Sequence, residues 1–253
     1  MREINLYSGE IIKNNNGPID EGNEGEIYFY SNPKYYDNHV VLKRLRTWKN
    51  FIEYDIPILG NFDVNKRQKI EKIENMSCFK DEVKILDAVI EFGKFIGYTM
   101  EICPYNQLDI NVDTQAKINY LKAIREKVKL LNSEGAFVGD FNSTNFLVDK
   151  KSEKLVMCDL DNFRIGNLDF DVKHRFVTEF NSKCDKRDYV DSYALNLFTI
   201  ALLSGLGNAY VLEHLSEISL PNEINTKENR NILDSMNNLD NSYQPRFLMD
   251  NLN

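Results

Sequence analysis

Two acidic residues and an amide near the middle of the chain have side chains that could act together in chemistry. Asp140 and Asn145 are separated by four residues in "VGDFNSTNFLV" (residues 138–148), and Asp159 opens a second acidic stretch, "DLDNF". A carboxylate can accept a proton from a hydroxyl, and carboxylate and amide oxygens are ligands that suit Mg²⁺. Asp and Asn are also frequent in turns, so this spacing is a weak signal by itself.

The first hundred residues predict a small sheet and one helix. Residues 26–45 contain two β-prone runs separated by a polar segment, which is typical of a β-hairpin. Residues 83–92 and 93–102 predict two further strands joined near Gly93, and residues 65–76 predict a helix in front of them.

Helices are predicted to dominate the rest of the chain. An amphipathic helix is indicated by apolar residues at spacings of three and four, namely Ile118, Leu121, Ile124, Val128 and Leu131. Residues 193–206, "YALNLFTIALLSGL", are apolar nearly all round and predict a buried helix, and residues 227–240 predict a weaker one. The pattern predicts an α+β fold with two domains, residues 1–103 and residues 104–253.

Composition narrows the classes of function and location. The chain has 253 residues, of which 42% are hydrophobic and 28% charged, as expected for an ordinary globular protein. Its formal net charge of -8 disfavours a broad nucleic-acid surface. The four cysteines are widely spaced, and no apolar run has the length of a signal peptide or a membrane span, so we expect a cytoplasmic protein with free thiols and no membrane partner.

The order helix, loop with Asp140 and Asn145, short hairpin and Asp159 resembles the catalytic core of eukaryotic-like protein kinases, in a divergent bacterial form. The resemblance implies that Asp140 is the catalytic base and that Asn145 and Asp159 hold Mg²⁺ or Mn²⁺. It implies ATP as the phosphate donor. It also implies a bilobal fold, with a small β-rich amino-terminal lobe and a mainly α-helical carboxy-terminal lobe.

The stretch "IDEGNEGEIYFY" (residues 19–30) resembles the glycine-rich loop of this family. Gly22 and Gly25 fall on its second and third glycines, Ile27 falls on the apolar residue over adenine, and Asp20 replaces the first glycine. Glycines allow backbone amides to approach phosphate closely, although two glycines in a polar loop also suit a plain hairpin turn.

"VVLKRL" (residues 40–45) resembles the strand whose lysine contacts the α and β phosphates. This places Val41 and Lys43 in the predicted nucleotide site. The helix that follows offers two partners for the lysine. Glu71 is preferred for its distance before "YTMEIC", and Glu74 remains the alternative.

"GYTMEICPYN" (residues 97–106) resembles the strand and hinge between the kinase lobes. The resemblance implies that Met100 is the gatekeeper, that the backbone of Glu101 and Cys103 faces adenine, and that Leu147 is the apolar floor of the adenine site.

"DSYALNLFTIALLSG" (residues 191–205) resembles the family's "D-V-Y-S-x-G" helix. The resemblance implies that Asp191 is structural and accepts hydrogen bonds from backbone amides of the catalytic loop. Together these motifs extend the resemblance over residues 17–250.

The chain also departs from the family pattern. Val138 and Gly139 replace the histidine and arginine of H-R-D, Asn142 stands where the catalytic-loop lysine is usual, and Asp161 replaces the glycine of D-F-G. No A-P-E follows, and the segment of residues 159–191 is short. These departures weaken the expectation of a standard metal site and peptide-docking platform.

Regulation by phosphorylation of that segment would lack its usual arginine, because glycine at position 139 cannot bind a phosphate through a side chain. The candidates for modification are Thr178, Ser182 and Tyr189, and the candidate replacement receptors are Arg164 and Arg175. The hypothesis is that any activity is constitutive or set by a partner.

Three functions follow from the resemblance. The first is an ATP-dependent Ser/Thr protein kinase, with a protein substrate or regulatory partner that the sequence does not identify. The second is a pseudokinase that binds ATP or acts as a scaffold, which Asn142 and Asp161 favour. The third is a small-molecule kinase, because the same stretches resemble the G-D-x-x-x-x-N signature of aminoglycoside phosphotransferases.

Overall fold

A computed structural model describes residues 1–6, 10–11, 18–21, 25–32, 34, 40–45, 59–91, 93–149, 151–152, 154–170 and 174–252. The chain divides into two compact units, Met1–Pro104 and Tyr105–Asn253, so the division falls one residue beyond the boundary expected at residue 103. The mixed α+β class predicted from the sequence is confirmed.

The first unit is built on one sheet with a helix. Its strands are β1 (Arg2–Asn5), β2 (Glu10–Ile11), β3 (Asp20–Glu21), β4 (Gly25–Ser31), β5 (Val40–Leu45), β6 (Ile85–Glu91) and β7 (Lys94–Glu101), and its helix is α1 (Leu59–Asn75). The strand order is β1-β6-β7-β5-β4-β2, with β3 paired to β4.

The strand pairs predicted in this unit are confirmed. β4 pairs with β5 and β6 pairs with β7, both antiparallel. The sequence did not predict β1, which pairs in parallel with β6. Tyr30, Leu42 and Val89 form part of a buried cluster in this unit, which explains why these strands carry β-branched and aromatic residues.

The second unit is mainly helical. Its helices are α2 (Thr114–Ser133), α3 (Arg175–Lys183), α4 (Val190–Ser204), α5 (Asn208–Glu213) and α6 (Lys227–Asn237), and its strands are β8 (Asn106–Gln107), β9 (Ala136–Phe137), β10 (Phe146–Val148), β11 (Leu155–Met157) and β12 (Arg164–Ile165). Of these helices, α3 and α5 were not predicted.

Helices α2 and α4 form as the sequence pattern predicted. Asp113 caps the start of α2 by accepting a hydrogen bond from the Ala116 amide at 2.8 Å. Four residues of its predicted apolar face are buried, namely Leu121, Ile124, Val128 and Leu131, and Ile118 is half-buried. Residues 190–202 of α4 are all buried, as the nearly continuous apolar sequence requires.

None of the helices in the described part of the chain is both long enough and apolar enough to cross a lipid bilayer.

Candidate functional site

The loop that carries Asp140 is anchored in the core of the second unit by aromatic residues. Phe141 follows Asp140 directly and is fully buried, and Phe146 is fully buried at the start of β10. Their ring centroids are 6.3 Å apart, and the Phe146 ring lies 5.8 Å from that of Phe198 in α4. Both ends of the segment between the two phenylalanines are therefore held by packing.

A buried carboxylate fixes the other side of the loop. Asp191, in the first turn of α4, accepts hydrogen bonds from the Val138 amide at 2.9 Å and the Gly139 amide at 2.8 Å. The predicted structural role of Asp191 is confirmed. Burial raises the pKa of Asp191 to about 6, although the two amide hydrogen bonds and the charge of Arg164 act in the opposite direction.

Glycine is required at position 139 by the backbone conformation and by the neighbouring side chain. Its φ of +69° lies in the left-handed region that favours glycine, and a Cβ atom there would lie 2.5 Å from the ring of Phe170. The buried Phe170 ring therefore lies where a side chain at position 139 would begin.

Asp140 and Asn145 are in direct contact. The Nδ2 atom of Asn145 donates to Oδ2 of Asp140 at 2.8 Å and lies 3.3 Å from the Asp140 carbonyl oxygen. Asn145 ends a short 3-10 turn, Ser143–Asn145, whose Thr144 amide donates to the side chain of Asn142 at 3.3 Å. Asn142 is exposed and serves as a cap in this turn.

The β10–β11 hairpin brings Asp159 to the same end of the hairpin as Asn145. β10 begins directly after Asn145, and β11 ends two residues before Asp159. The Cys158 amide donates to the Asn145 carbonyl at 3.0 Å, which extends the ladder by one pair. Among the described residues, Asp159 is the only one other than glycine with a positive φ, at 60°. Such backbone strain is concentrated at functional sites.

His174 joins this site, and sequence reasoning missed it. Its Nδ1 atom lies 3.5 Å from Oδ1 of Asp140, and its Nε2 atom lies 2.7 Å from Nδ2 of Asn162. Sequence spacing gave no signal for it, because an isolated histidine more than thirty residues beyond Asp140 matches no motif.

Several residues of the first unit that were expected to bind the nucleotide lie in two neighbouring cross-strand rows of the sheet. Ile27, Lys43 and Tyr98 are opposite one another on β4, β5 and β7, and the next row on the same face contains Val41 and Met100. Lys43 is buried.

Only one of the two glycines of the expected phosphate-binding loop lies among the described residues. Gly22 lies outside the described residues. A Cβ atom on Gly25 would lie 2.6 Å from the carbonyl oxygen of Arg44, so the close approach of β5 already requires glycine here.

The ion pair expected between Glu71 and Lys43 is not found among the described contacts of Glu71. Its Oε1 atom lies 3.0 Å from Nε of Arg67, four residues earlier on α1. Glu74, the alternative, pairs instead with the amino group of Met1 at 3.0 Å. The arginine one helical turn away pairs with Glu71, as i,i+4 spacing favours.

The other residues predicted to contact adenine lie in different units. The amide of Glu101, the last residue of β7, donates to the carbonyl of Lys84 at 3.0 Å. Cys103 is half-buried in the segment after β7. Leu147 belongs to the second unit, where it is half-buried between the buried Phe146 and Val148 and faces the opposite side of β10.

The two arginines considered as phosphate receptors are already paired. Nη2 of Arg164 lies 2.7 Å from Oδ1 of Asp188, and the Arg164 guanidinium stacks on the ring of Phe137. Arg175 pairs with Glu213 at 2.6 Å. Both guanidinium groups therefore have a carboxylate partner without a phosphate.

The donor set suits a hard cation bound partly by phosphate. Because Nδ2 of Asn145 faces Asp140, its Oδ1 atom is the one that would face a metal, and Asp159 supplies a carboxylate at the same hairpin end. No cluster of three or more His, Cys, Asp or Glu side chains suited to a metal occurs in the described part of the chain. Mg²⁺ at nucleotide sites commonly uses only one or two protein ligands.

In comparisons with known proteins, the chain matches no protein-family model and no curated protein sequence.

Proposed function

We propose that the protein is an ATP-dependent phosphotransferase of the protein-kinase type, which transfers the γ-phosphate of Mg-ATP to a protein hydroxyl. The observation that carries the proposal is the 2.8 Å contact between Asn145 and Asp140, with Asp159 at the same end of the β10–β11 hairpin. This arrangement offers a carboxylate to an acceptor hydroxyl and separate oxygen ligands to a metal.

Asp140 is the residue that would handle the proton. The acceptor oxygen forms a bond to the γ-phosphorus as the bond from that phosphorus to the bridging oxygen breaks and ADP leaves. Asp140 takes the hydroxyl proton, or orients it early in the reaction. The Asn145 hydrogen bond to Oδ2 fixes the rotation of the carboxylate, which favours a productive approach of the hydroxyl to Oδ1.

Asn145 and Asp159 are the residues that would hold the metal. A bound Mg²⁺ supplies positive charge that stabilises the charge developing on the phosphate oxygens. The strained backbone of Asp159 supports this role, because the fold holds a non-glycine residue at a φ of 60° next to Asn145. In the resemblance to kinases, the metal and phosphate roles belong to these residues and to Lys43.

The sheet face of the first unit suits the nucleotide itself. Ile27, Val41 and Met100 are apolar, and Lys43 lies among them. Apolar side chains suit the faces of a purine ring, and a lysine suits its phosphates.

Nucleotide binding without transfer is the second candidate. Asn142 favours it, because this residue is exposed, caps the turn before Asn145 and carries no positive charge for the transferred phosphate. A protein of this kind would retain the metal ligands but transfer phosphate slowly.

Incubation with γ-labelled ATP and Mg²⁺ or Mn²⁺ tests the proposal. We expect label on the protein itself or on casein as a generic acceptor, and less label with Asp140→Asn. Label only on small hydroxyl compounds would replace the protein acceptor with a small molecule. ATP binding with no transfer to any acceptor or to water would favour the second candidate and contradict the proposed activity.

A further inference from the structure

His174 lies directly before α3 and is placed against the proposed base. The exposed fraction of its side chain is 22%, and that of Asp140 is 24%, so neither group is freely solvated. Among the residues that the structure describes, each nitrogen of the imidazole has one neighbour. Nδ1 lies 3.5 Å from Oδ1 of Asp140, and Nε2 lies 2.7 Å from Nδ2 of Asn162.

The contact with Asn162 determines which nitrogen carries the proton. An amide nitrogen can only donate, so Nε2 of His174 must accept and has no proton of its own. The neutral imidazole then carries its proton on Nδ1, which is the nitrogen that faces Asp140. Asn162 therefore donates to His174, and the Nδ1 proton of His174 lies on the side of Asp140.

The Asp140 carboxylate is therefore approached from two sides. Asn145 donates to Oδ2 at 2.8 Å, and Nδ1–H of His174 faces Oδ1. The separation of 3.5 Å exceeds the usual 2.7–3.2 Å for such a bond. Catalytic hydrogen bonds are often long without substrate and tighten in the reacting complex.

We propose that His174 is a positioning residue for Asp140, and that its neutral Nδ1–H tautomer, selected by Asn162, orients the carboxylate toward the acceptor hydroxyl. This inference rests on the proposed phosphotransferase function. A misplaced base lowers the rate of the chemical step, whereas nucleotide affinity depends on other groups.

Three substitutions of His174 separate its possible roles. His174→Ala removes the donor, and we expect kcat to fall about 10-fold or more with little change in KM for ATP. His174→Asn places an amide nitrogen near the position of Nδ1 and should restore most of the rate. His174→Gln places its amide nitrogen near Nε2 and should not. His214→Ala is the matched control, because His214 stacks on Tyr210 and should leave the rate unchanged.

Equal rates for parent and His174→Ala, while Asp140→Asn is impaired, would overturn the inference and leave the proposed function intact. Equal failure of the Asn and Gln variants would also overturn it, because a donor at Nδ1 would then confer no benefit.

NMR of the histidine side-chain nitrogens tests the inference independently of any enzyme activity. The chain has only three histidines, so His174→Asn identifies the His174 signals. The nitrogen chemical shifts should show a protonated Nδ1 and an unprotonated Nε2, and Asp140→Asn should move the Nδ1 signal. A protonated Nε2 with a bare Nδ1 would overturn the inference even in an active enzyme. The expected tautomer in a protein that transfers no phosphate would uphold the contact and locate the failure in the proposed function.

Discussion

Gly139 lies directly against the ring of Phe170, so that a Cβ atom on Gly139 would lie 2.5 Å from Phe170 Cε1. The position also has a φ of +69°, which costs a non-glycine residue roughly 1–2 kcal/mol. Glycine at position 139 is therefore part of how this loop is packed, because an aromatic ring fills the space where a side chain would begin.

Gly139→Ala should therefore destabilise the protein by more than the cost of the positive φ alone, because the added methyl group would also clash with Phe170. Gly135→Ala is the matched control, because Gly135 also has a positive φ, +81°, but no atom lies within 4 Å of its added Cβ. We expect the free energy of unfolding in urea to fall about 1–3 kcal/mol further for Gly139→Ala than for Gly135→Ala. In a Phe170→Ala background, the further loss caused by Gly139→Ala should be smaller than in the parent. Equal losses for the two alanine variants would show that the Phe170 contact is unimportant.

The raised pKa of Asp191 predicts a dependence of stability on pH. Its folded-state pKa is about 6 and its ordinary value is 3.8, so the folded protein holds this proton more tightly than the unfolded chain. The stabilisation is fully present below about pH 4 and is lost as pH rises through 6. A shift of this size corresponds to about 3 kcal/mol at most.

Asp191→Asn removes this titration and isolates it from those of other acids. The free energy of unfolding of the parent minus that of Asp191→Asn should decrease between pH 4 and pH 7. The variant should be the less stable protein at both pH values, because the amides of Val138 and Gly139 lose a shared carboxylate. A difference that stays constant over this range would mean that Asp191 has an ordinary pKa.

Metal-dependent nucleotide binding should depend on Asp159. ATP at about 100 times its Kd stabilises a folded protein by about 2.7 kcal/mol, so binding raises the Tm. We expect the ATP-induced shift in Tm to be larger with Mg²⁺ than with a chelator, and Asp159→Ala to abolish this extra shift. Asp149→Ala is a suitable control, since Asp149 bonds the local residues Lys151 and Ser152. An undiminished Mg²⁺ effect in Asp159→Ala would refute the metal assignment.

Activity should not require phosphorylation of the segment before α4. Arg164 is engaged by Asp188, Arg175 by Glu213, and the space beside Gly139 by Phe170. We therefore expect phosphatase-treated and untreated protein to transfer phosphate at similar rates, as should a Thr178→Ala, Ser182→Ala double variant. A loss of rate on phosphatase treatment, reversed by rephosphorylation, would reveal a phosphate receptor elsewhere.

The periodic and strongly apolar elements could be predicted from the sequence, whereas long-range pairings could not. The heptad-like spacing in α2 and the continuous apolar run in α4 depend on local residues alone. β1 is a four-residue strand whose partner β6 lies some eighty residues later, and no local pattern encodes that pairing. α3 and α5 were missed because they are only nine and six residues long.

The candidate site divides in the same way. Asp140, Asn145 and Asp159 could be found because their residue types and spacing form a motif along the chain. His174 could not be found, since its contact with Asp140 is a long-range one that no local spacing encodes. The pairing of Glu71 with Arg67 was accessible from i,i+4 spacing, and it competes with the expected lysine partner.

The role of Asp140 in handling the proton of phosphate transfer is tested by comparing kcat and ATP affinity in Asp140→Asn. We expect kcat to fall about 100-fold or more while the Kd for Mg-ATP changes little and the protein stays folded. Asp109→Asn is the control and should keep the parent rate, because Asp109 is exposed and bonds the local Asn111 amide. An Asp140→Asn protein that transfers phosphate at the parent rate would rule out this role for Asp140.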